Sequence, residues 1–474
     1  MPDIFLTNTI SREKEKFEAI NPPKVGMYTC GMTVYDFAHI GHGRKYVTDD
    51  VLKRVLIFNG FDVTHVQNVT DVGHLVSDSD EGEDKMEKGA KKSGKTVWEI
   101  AEYYTKHFYD SMDSLNIIRP GVVCKATDHI EEQIKMVQTL VEKGFAYDTP
   151  EAVYFDVSKF SKYDGLFGQK LSEKKVAVRD EVKEDDQKRN PQDFALWFKR
   201  VGRFSDHAMH WESPWGDGFP GWHIECSAMA TKYLGEQFDI HTGGEDHIAV
   251  HHPNEIAQSE ASSGKSPFAK YWIHTAFLMV DGTKMSKSLG NFYTIEDVVE
   301  KGFDPISLRY LYLTSHYRDP LNFTWESLTA AGVALNKLRS QVISLRSQTD
   351  RTTLSQEKEE KVEKYRDSFI LSVNDDINTA KAIGVMWEML KSNIPSQDKL
   401  DLLMTFDEVL GFGLLSVQDK NIEIPKEVSD LLKQREQLRK EGKFKEADEV
   451  RNKILELGYE LKDTLDGVKL NIVR

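Results

Sequence analysis

The sequence predicts an α/β protein: a parallel sheet split by an insertion, followed by an α-helical bundle and a small C-terminal module. Three observations predict this arrangement. A strand–helix–strand pattern lies near the N-terminus, short strands and charged turns fill the middle, and long amphipathic stretches lie beyond residue 328. The 474 residues exceed one ordinary core, and a content of 39% hydrophobic and 29% charged residues is typical of soluble globular proteins.

The first strand–helix–strand unit predicts parallel strands. Lys24–Cys30 is predicted to be a buried strand, followed by a loop that carries His39–His42. Tyr46–Phe58 is predicted to be a helix because its apolar residues share one face, and Phe61–Val69 is the second strand. Such a crossover is right-handed, and ligands bind beyond the carboxyl ends of the strands. The side chains expected at this edge are those of Cys30, His39, His42 and Thr70.

The remaining elements follow in order. Thr96 and Glu99 form a capping box that opens a helix to about Leu115. A second helix is predicted over His129–Lys143, and residues 145–215 are predicted to form the insertion. Later in the chain we predict strands at Phe238–His241 and Trp272–Val280, amphipathic helices at Thr324–Leu345 and Lys361–Leu390, and a linker at Ile424-Pro425.

Composition excludes several classes of protein. We find no run of about 18 or more apolar residues, so no membrane association is expected. Residues 1–17 resemble neither a secretory signal nor a transit peptide, and three cysteines cannot form a disulfide framework, which favours a cytoplasmic location. The net charge of −15 argues weakly against a nucleic-acid partner, but a basic face about 8–10 Å across can coexist with an acidic remainder.

One match to a phosphate-binding loop is interpreted as a decoy. Residues 89–96 fit the pattern G-x-x-x-x-G-K-[ST], which requires a buried strand leading into it. The residues before it are polar and cannot form that strand. A surface loop with Thr96 as the helix N-cap is the preferred interpretation.

Two short segments carry candidate chemistry for a nucleotide. The histidine segment, His39–His42, contains Gly41, which would let a phosphate approach a helix N-terminus. The lysine segment, Lys284–Ser288, lies between glycines, and its two lysines, Lys284 and Lys287, can meet one polyphosphate. Each segment alone also has a simpler interpretation. The histidine segment can be two surface histidines near a helix start, and the lysine segment can be a solvated, charged loop.

A third group of residues offers metal ligands. Two thiols, an imidazole and a carboxylate give a donor set suited to Zn²⁺. A lone buried cysteine is more often a small hydrophobe, so a structural role stays open. The candidate ligands are Cys30, Cys226, His251 and Glu255, with His241, His247 and His252 as rivals for the imidazole position and Cys124 as a structural cysteine.

Taken together, these segments resemble the class I aminoacyl-tRNA synthetases, and among them the cysteinyl-tRNA synthetases. The histidine and lysine segments match the paired signatures of the class. The stretches that resemble the cysteinyl enzymes are Thr29–Asp36, Asn68–Asp71, Gly221–Met229, Phe238–Gln258, Ala447-Asp448 and Leu461–Thr464.

The resemblance implies a Rossmann-type catalytic domain and a C-terminal anticodon-recognition module. It implies that His39, His42, Lys284 and Lys287 are catalytic, and that Gly41, Asp246 and Lys287 bind ATP. It further implies zinc on Cys30, Cys226, His251 and Glu255, and a cysteine pocket lined by Thr70 and Trp222. The implied boundaries are 1–120 and 221–280 for the halves of the catalytic domain, 121–220 for the connecting insertion, 281–328 for a stem-contact region, 329–420 for the bundle and 421–474 for the last module.

Pro253 departs from the family pattern. Proline is favoured at the first position of a helix. It therefore leaves open whether His251 precedes the helix or shares one of its faces with Glu255.

The implied activity is ATP-dependent activation of L-cysteine, with Mg²⁺ accompanying ATP and one Zn²⁺ per chain selecting the thiol. The cysteinyl group then passes to the 3′ end of tRNA(Cys), and the enzyme is expected to be a monomer. An alternative is a cysteine:amino-sugar ligase of the mycothiol-pathway type, which resembles only the catalytic half; the basic residues of Asp430–Arg474 favour tRNA. A non-catalytic paralogue would be expected to lack His42 or Lys287, and both are present.

Overall fold

The computed structural model describes residues 2–73, 87, 90, 94–168, 187–286, 289–348, 353–418, 425–464 and 467–472. The chain divides into two compact units, Met1–Val417 and Gln418–Arg474. Among the described helices, no segment is long and apolar enough to cross a membrane.

The first unit contains fourteen described strands and eleven described α-helices. The strands are β1 (Phe5–Asn8), β2 (Glu13–Lys16), β3 (Lys24–Thr29), β4 (Asp62–Val69), β5 (Val122–Lys125), β6 (Ala146–Asp148), β7 (Ala152–Phe155), β8 (Phe194–Lys199), β9 (Gly218–Pro220), β10 (Phe238–Gly244), β11 (Ala269–Thr275), β12 (Leu278–Val280), β13 (Thr283–Lys284) and β14 (Leu321–Phe323). The helices are α1 (Ile40–Phe58), α2 (Val97–Ser114), α3 (Ile130–Glu142), α4 (Trp222–Leu234), α5 (His251–Ser263), α6 (Ile295–Glu300), α7 (Pro305–Leu313), α8 (Trp325–Arg346), α9 (Gln356–Asn374), α10 (Thr379–Lys391) and α11 (Ser396–Leu410).

The central sheet has the strand order β11-β10-β3-β4-β5, and every pairing in it is parallel. The chain moves from β3 to β4 and β5 in one direction and places β10 and β11 on the other side. The strand order therefore reverses next to β3, and a crevice opens there beyond the carboxyl ends. Between β5 and β10 the chain forms the antiparallel sheet β6-β7-β8-β9, which confirms the predicted insertion.

Helix α1 begins at Ile40, six residues before the predicted start. His39 is its N-cap: the His39 ring accepts a hydrogen bond from the His42 main-chain N–H, and the His42 ring accepts one from the His39 N–H. Capping boxes are usually recognised by serine or threonine followed by glutamate or glutamine. The prediction of a loop over His39–His42 was wrong because histidines perform the capping here.

Two predicted elements are each divided in the structure. The stretch Trp272–Val280 divides into β11 and β12, which belong to different sheets. The carbonyls of Ala276 and Phe277, between the two strands, accept hydrogen bonds from the Arg44 guanidinium. The stretch Lys361–Leu390 divides into α9 and α10 at Asp376 and Ile377, which have φ values of 57° and 55°. Asp376 accepts hydrogen bonds from the Thr7 main chain and the Tyr317 hydroxyl, so this break is fixed by tertiary contacts.

The second unit contains α12 (Lys426–Lys440), α13 (Phe444–Glu456) and the hairpin of β15 (Tyr459–Thr464) and β16 (Gly467–Ile472). Its own small core includes Val428, Val450, Ile454 and Leu461. Among the basic residues that the sequence assigned to an RNA-binding face, Lys433, Arg439, Lys440, Lys443 and Lys445 are exposed. Arg435 is only 4% exposed, so its place on that face is corrected.

Several histidines of the first unit are buried in the uncharged form. Burial lowers the pKa of His42, His65 and His274 well below the usual value. The unfolded chain therefore binds protons below about pH 6.5 that the folded chain does not bind, and stability falls as the pH falls through that value. We expect urea titrations at pH 7.5 and 5.5 to show this loss. His65→Gln should reduce the difference between the two pH values, and an unchanged difference would count against the assignment.

Candidate active site

A cavity of about 450 Å³ lies beyond the carboxyl ends of β3 and β10. It brings together most of the site residues that the sequence predicts. The predicted residues that line it are Cys30, His39, Gly41, His42, Thr70, Trp222, Cys226, Asp246, His251 and Lys284. Glu255 is fully buried behind the wall, and Lys287 lies outside the described residues.

Four potential metal ligands converge in one wall of the cavity. The donor atoms of Cys30, Cys226, His251 and Glu255 all lie within 4.8 Å of one another, and each side chain is buried. The Cys30 sulfur is 3.6 Å from Glu255 Oε1, and His251 Nε2 is 2.8 Å from the same oxygen. Sulfur, nitrogen and oxygen donors in this combination are those that zinc accepts.

A second set of donors overlaps the first. Cys30, His241, His252 and Glu255 also lie within 4.8 Å of one another. His252 is 3.4 Å from the Cys30 sulfur, and His241 is 2.9 Å from Glu255 Oε2. Both of these imidazoles are fully buried. Because Cys226 and His251 line the cavity, the first set is the one that can also meet a ligand there.

The helix geometry resolves the position of Pro253. Helix α5 begins at His251, and Pro253 is its third residue. His251 and Glu255 are four positions apart on the same helix, and their side chains make a 2.8 Å contact. The alternative in which His251 precedes the helix is therefore wrong, and the proline does not separate these two candidate ligands.

The two thiols have opposite tendencies to ionise. The hydrogen bond from Cys30 lowers the pKa of Cys226 against the opposing effect of burial, whereas burial first, and then Cys226, raise the pKa of Cys30. Burial would lower the pKa of His251, but Glu255 and Cys226 outweigh it and raise that pKa to about 10. These shifts favour protonated His251 and Cys30 beside the carboxylate of Glu255 and the thiol of Cys226. Metal binding displaces such protons from thiols and imidazoles.

The histidine segment forms a compact face of the cavity. The rings of His39 and His42 stack with centroids 3.4 Å apart and planes 18° apart. Burial, followed by the neighbouring His39, lowers the pKa of His42 well below its usual value, so this ring is neutral and can donate one hydrogen bond. A Cβ atom on Gly41 would meet the His39 ring at 3.0 Å and the Met285 methyl group at 3.3 Å. Glycine at this position thus permits close packing of the histidine and lysine segments.

The described part of the lysine segment lines the cavity beside the histidine segment, where Met285 approaches Gly41. Lys284 is exposed, and its ammonium lies 5.6 Å from the centroid of the Phe277 ring. The Asn291 amide accepts a hydrogen bond from the Ser286 main chain at 2.8 Å and donates one to the Lys284 carbonyl at 3.2 Å. Asn291 therefore holds the main chain at Lys284 and Ser286, and Lys284 lines the cavity.

The predicted amino-acid pocket adjoins the metal-ligand cluster. The Trp222 ring lies 4.5 Å from the His251 ring. The Thr70 hydroxyl donates to Glu225 at 3.3 Å and accepts from Asn68 at 3.0 Å. The same Asn68 accepts a hydrogen bond from the Gly31 N–H, next to Cys30. Asn68 and Glu225 lie in stretches that the sequence singled out, but only the fold shows that they support Thr70.

A parallel sheet with a switch-point cavity that both signature segments line defines a class I aminoacyl-tRNA synthetase. Residues 16–333 match the family of class I (C) tRNA synthetase catalytic domains, and residues 422–468 match the cysteinyl-tRNA ligase anticodon binding domain. The chain is 44% identical to the cysteine–tRNA ligase of Treponema denticola over 482 residues, which cover 97% of both chains. It is 45% identical to cysteine–tRNA ligase 1 of Burkholderia lata, covering 98% of this chain and 96% of the relative. The chain belongs to the cysteine–tRNA ligase family.

Solved structures support the fold. The methionyl-tRNA synthetase of Mycobacterium tuberculosis in complex with methionyl-adenylate has a TM-score of 0.56 at 14% identity, over 82% of this chain and 90% of that one. A leucyl-tRNA synthetase of Agrobacterium radiobacter, in a ternary complex with tRNA, has a TM-score of 0.60 at 12% identity, over 84% of each chain. At these identities the similarity concerns the fold alone.

Proposed function

We propose that this chain activates L-cysteine with Mg²⁺ and ATP and transfers the cysteinyl group to the 3′ end of tRNA(Cys), with one zinc ion selecting the substrate thiol. The observation that carries the proposal is the joint placement of the four-donor cluster and both signature segments around one cavity. We also infer that the enzyme is a cytoplasmic monomer, and light scattering after gel filtration tests its oligomeric state.

The donor set fits zinc because it is buried, includes two thiols, and opens towards the cavity only through Cys30, Cys226 and His251. A bound zinc ion would supply a soft Lewis acid with a position for the thiolate of cysteine, which a serine hydroxyl fills poorly. Thr70 and Trp222 would enclose the amino acid beside it. Rejection of serine by a site that requires this bond can reach about 10⁴-fold.

The activation step requires stabilisation of negative charge at the α-phosphate and on the departing pyrophosphate. We propose that His39 and His42 donate hydrogen bonds to the phosphates and that Lys284 and Lys287 supply positive charge to the same phosphates. Asp246 is proposed to bind the ATP ribose, and Gly41 to let the nucleotide approach α1. These groups act by positioning and electrostatics, so no protein nucleophile is required.

Zinc analysis provides a direct test of the metal site. We expect the purified chain to contain one zinc ion and Cys226→Ser to lose most of it, because the serine hydroxyl is a poor zinc ligand. Cys124→Ser is the matched control, since Cys124 is also buried but belongs to neither donor set. A metal-free wild-type chain that still prefers cysteine to serine would refute the proposed selection mechanism.

The match of residues 422–468 to an anticodon binding domain favours tRNA over the amino-sugar alternative. We expect a chain ending at Val417 to retain cysteine-dependent pyrophosphate exchange while its aminoacylation of tRNA falls steeply. The residues of the first unit form a compact unit of their own, so the catalytic cavity should persist. Undiminished tRNA charging by the shortened chain would contradict this assignment.

A further inference from the structure

Two adjacent buried cations follow the histidine segment on α1. Arg44 is 1% exposed and Lys45 is 9% exposed. Sequence reasoning assigned them no role. Each donates hydrogen bonds to main-chain carbonyls in the cavity wall, and the two side chains serve different walls.

Lys45 holds the main chain of a candidate metal ligand. Its ammonium donates to the Cys30 carbonyl at 2.9 Å, and the hydroxyl of the next residue, Tyr46, donates to the same carbonyl at 3.2 Å. The Cys30 N–H bonds to the Thr242 carbonyl of β10 at 3.3 Å. Cys30 lies just past the end of β3, where its N–H still bonds to β10 and the two side chains of α1 hold its carbonyl. The charge of Lys45 is matched by Asp49 at 2.9 Å.

Arg44 holds the main chain on the lysine side of the cavity. Its guanidinium donates to the carbonyls of Ala276 and Phe277 at 3.0 and 2.7 Å, and also to those of His316 and Asp319. The Phe277 N–H donates to the Glu245 carboxylate at 3.2 Å, so the peptide groups on both sides of Phe277 are held. Phe277 lines the cavity, and the Lys284 ammonium lies over its ring.

We propose that Arg44 and Lys45 are positioning residues that tie the ATP side and the metal side of the cavity to a single helical turn. The inference rests on the proposed function. Lys45 places Cys30 relative to Cys226 and Glu255, and Arg44 places the support beneath Lys284. Since the same turn carries His42, it holds the amino-acid subsite and the nucleotide subsite in fixed positions relative to each other. The physical requirement is that the reacting atoms be aligned within a fraction of an ångström.

The first test concerns Lys45. We expect Lys45→Met to raise the zinc dissociation constant about 10- to 100-fold in a chelator competition, as losses of outer-shell partners do. Lys53→Met is the matched control: Lys53 is on the same helix, is 5% exposed and donates to the Arg119 carbonyl at 2.9 Å, away from the cavity. The double variant Lys45→Met/Asp49→Asn removes the unpaired carboxylate, and its zinc affinity should stay low. Restored affinity would show that the Asp49 charge, and not Cys30 placement, caused the loss.

The second test concerns Arg44. Arg44→Lys keeps the charge but not the fork that spans four carbonyls. We expect the KM for ATP in pyrophosphate exchange to rise roughly 10- to 100-fold while zinc affinity stays at the wild-type value. Arg309→Lys is the control, because Arg309 is also buried and also bonds to carbonyls, but those of Leu410 and Leu115 do not line the cavity, whereas those of Ala276 and Phe277 belong to lining residues.

These outcomes separate the inference from the proposed function. A wild-type chain without zinc would refute the metal site itself. A zinc-bound wild type with equally tight binding in Lys45→Met would overturn only the role of Lys45. If Arg44→Lys and Lys45→Met lose melting temperature as their controls do, but change neither the KM for ATP nor zinc affinity, both residues are merely structural and the inference is wrong.

Discussion

Replacing Arg309 with methionine is expected to lower the free energy of unfolding by about 3–5 kcal/mol, because it leaves a buried carboxylate with an incomplete set of partners. Arg309 on α7 is fully buried and lies 2.5 Å from the Asp50 carboxylate on α1. It also donates to the Leu410 carbonyl at 2.6 Å and the Leu115 carbonyl at 3.1 Å. One side chain therefore joins α7, α1, the end of α11 and the end of α2.

Asp50 keeps two other donors in this variant. The Arg54 guanidinium bonds to it at 2.7 Å and the Ile118 N–H at 2.8 Å, so the loss should fall towards the lower end of that range. Urea titration of wild type and variant measures the difference. Lys106→Met provides a control, since its ion pair with Asp110 is exposed and should leave the unfolding midpoint unchanged. A variant as stable as wild type would mean that the methionine packs well enough to replace the pair.

The sheet and its cavity were predictable because their signals are local. The shared apolar face of Tyr46–Phe58 and the Thr96 cap identify helices one at a time, and the rule for parallel crossovers then places Cys30, His39 and Thr70 at one edge. The four-donor cluster was also predictable in outline. Its geometry was not, because the competition between His251 and His252 depends on which one faces the cavity.

The residues that sequence reasoning missed act through the main chain. Arg44 and Lys45 bond to carbonyls at Phe277 and Cys30, and a carbonyl is present at every position of a sequence. Neither residue spacing nor residue type in the sequence predicts such a contact. Likewise, the break between α9 and α10 depends on Asp376 meeting Thr7 from the other end of the first unit. A local amphipathic pattern continues across a break of this kind and therefore predicts one uninterrupted helix.

Replacing His42 with alanine is expected to lower the rate of cysteine-dependent pyrophosphate exchange by about 10²–10³, the effect of removing one preorganised donor from a developing anion. The neutral His42 ring lines the cavity and stacks on His39, so its loss also removes the stacking partner of the His39 ring. We expect kcat to fall more than the KM for ATP rises, because the donor is proposed to act mainly in the transition state.

The capping role of His42 must be separated from its catalytic role. Its ring accepts a hydrogen bond from the His39 N–H, and losing that bond costs helix stability. His42→Asn offers an acceptor that can retain the cap, so it should recover melting temperature while the rate stays low. His210→Ala, which removes a histidine of the insertion paired with Asp217, should leave exchange unchanged. If His42→Asn recovers the rate together with the melting temperature, the ring serves the fold of α1 and not the phosphate.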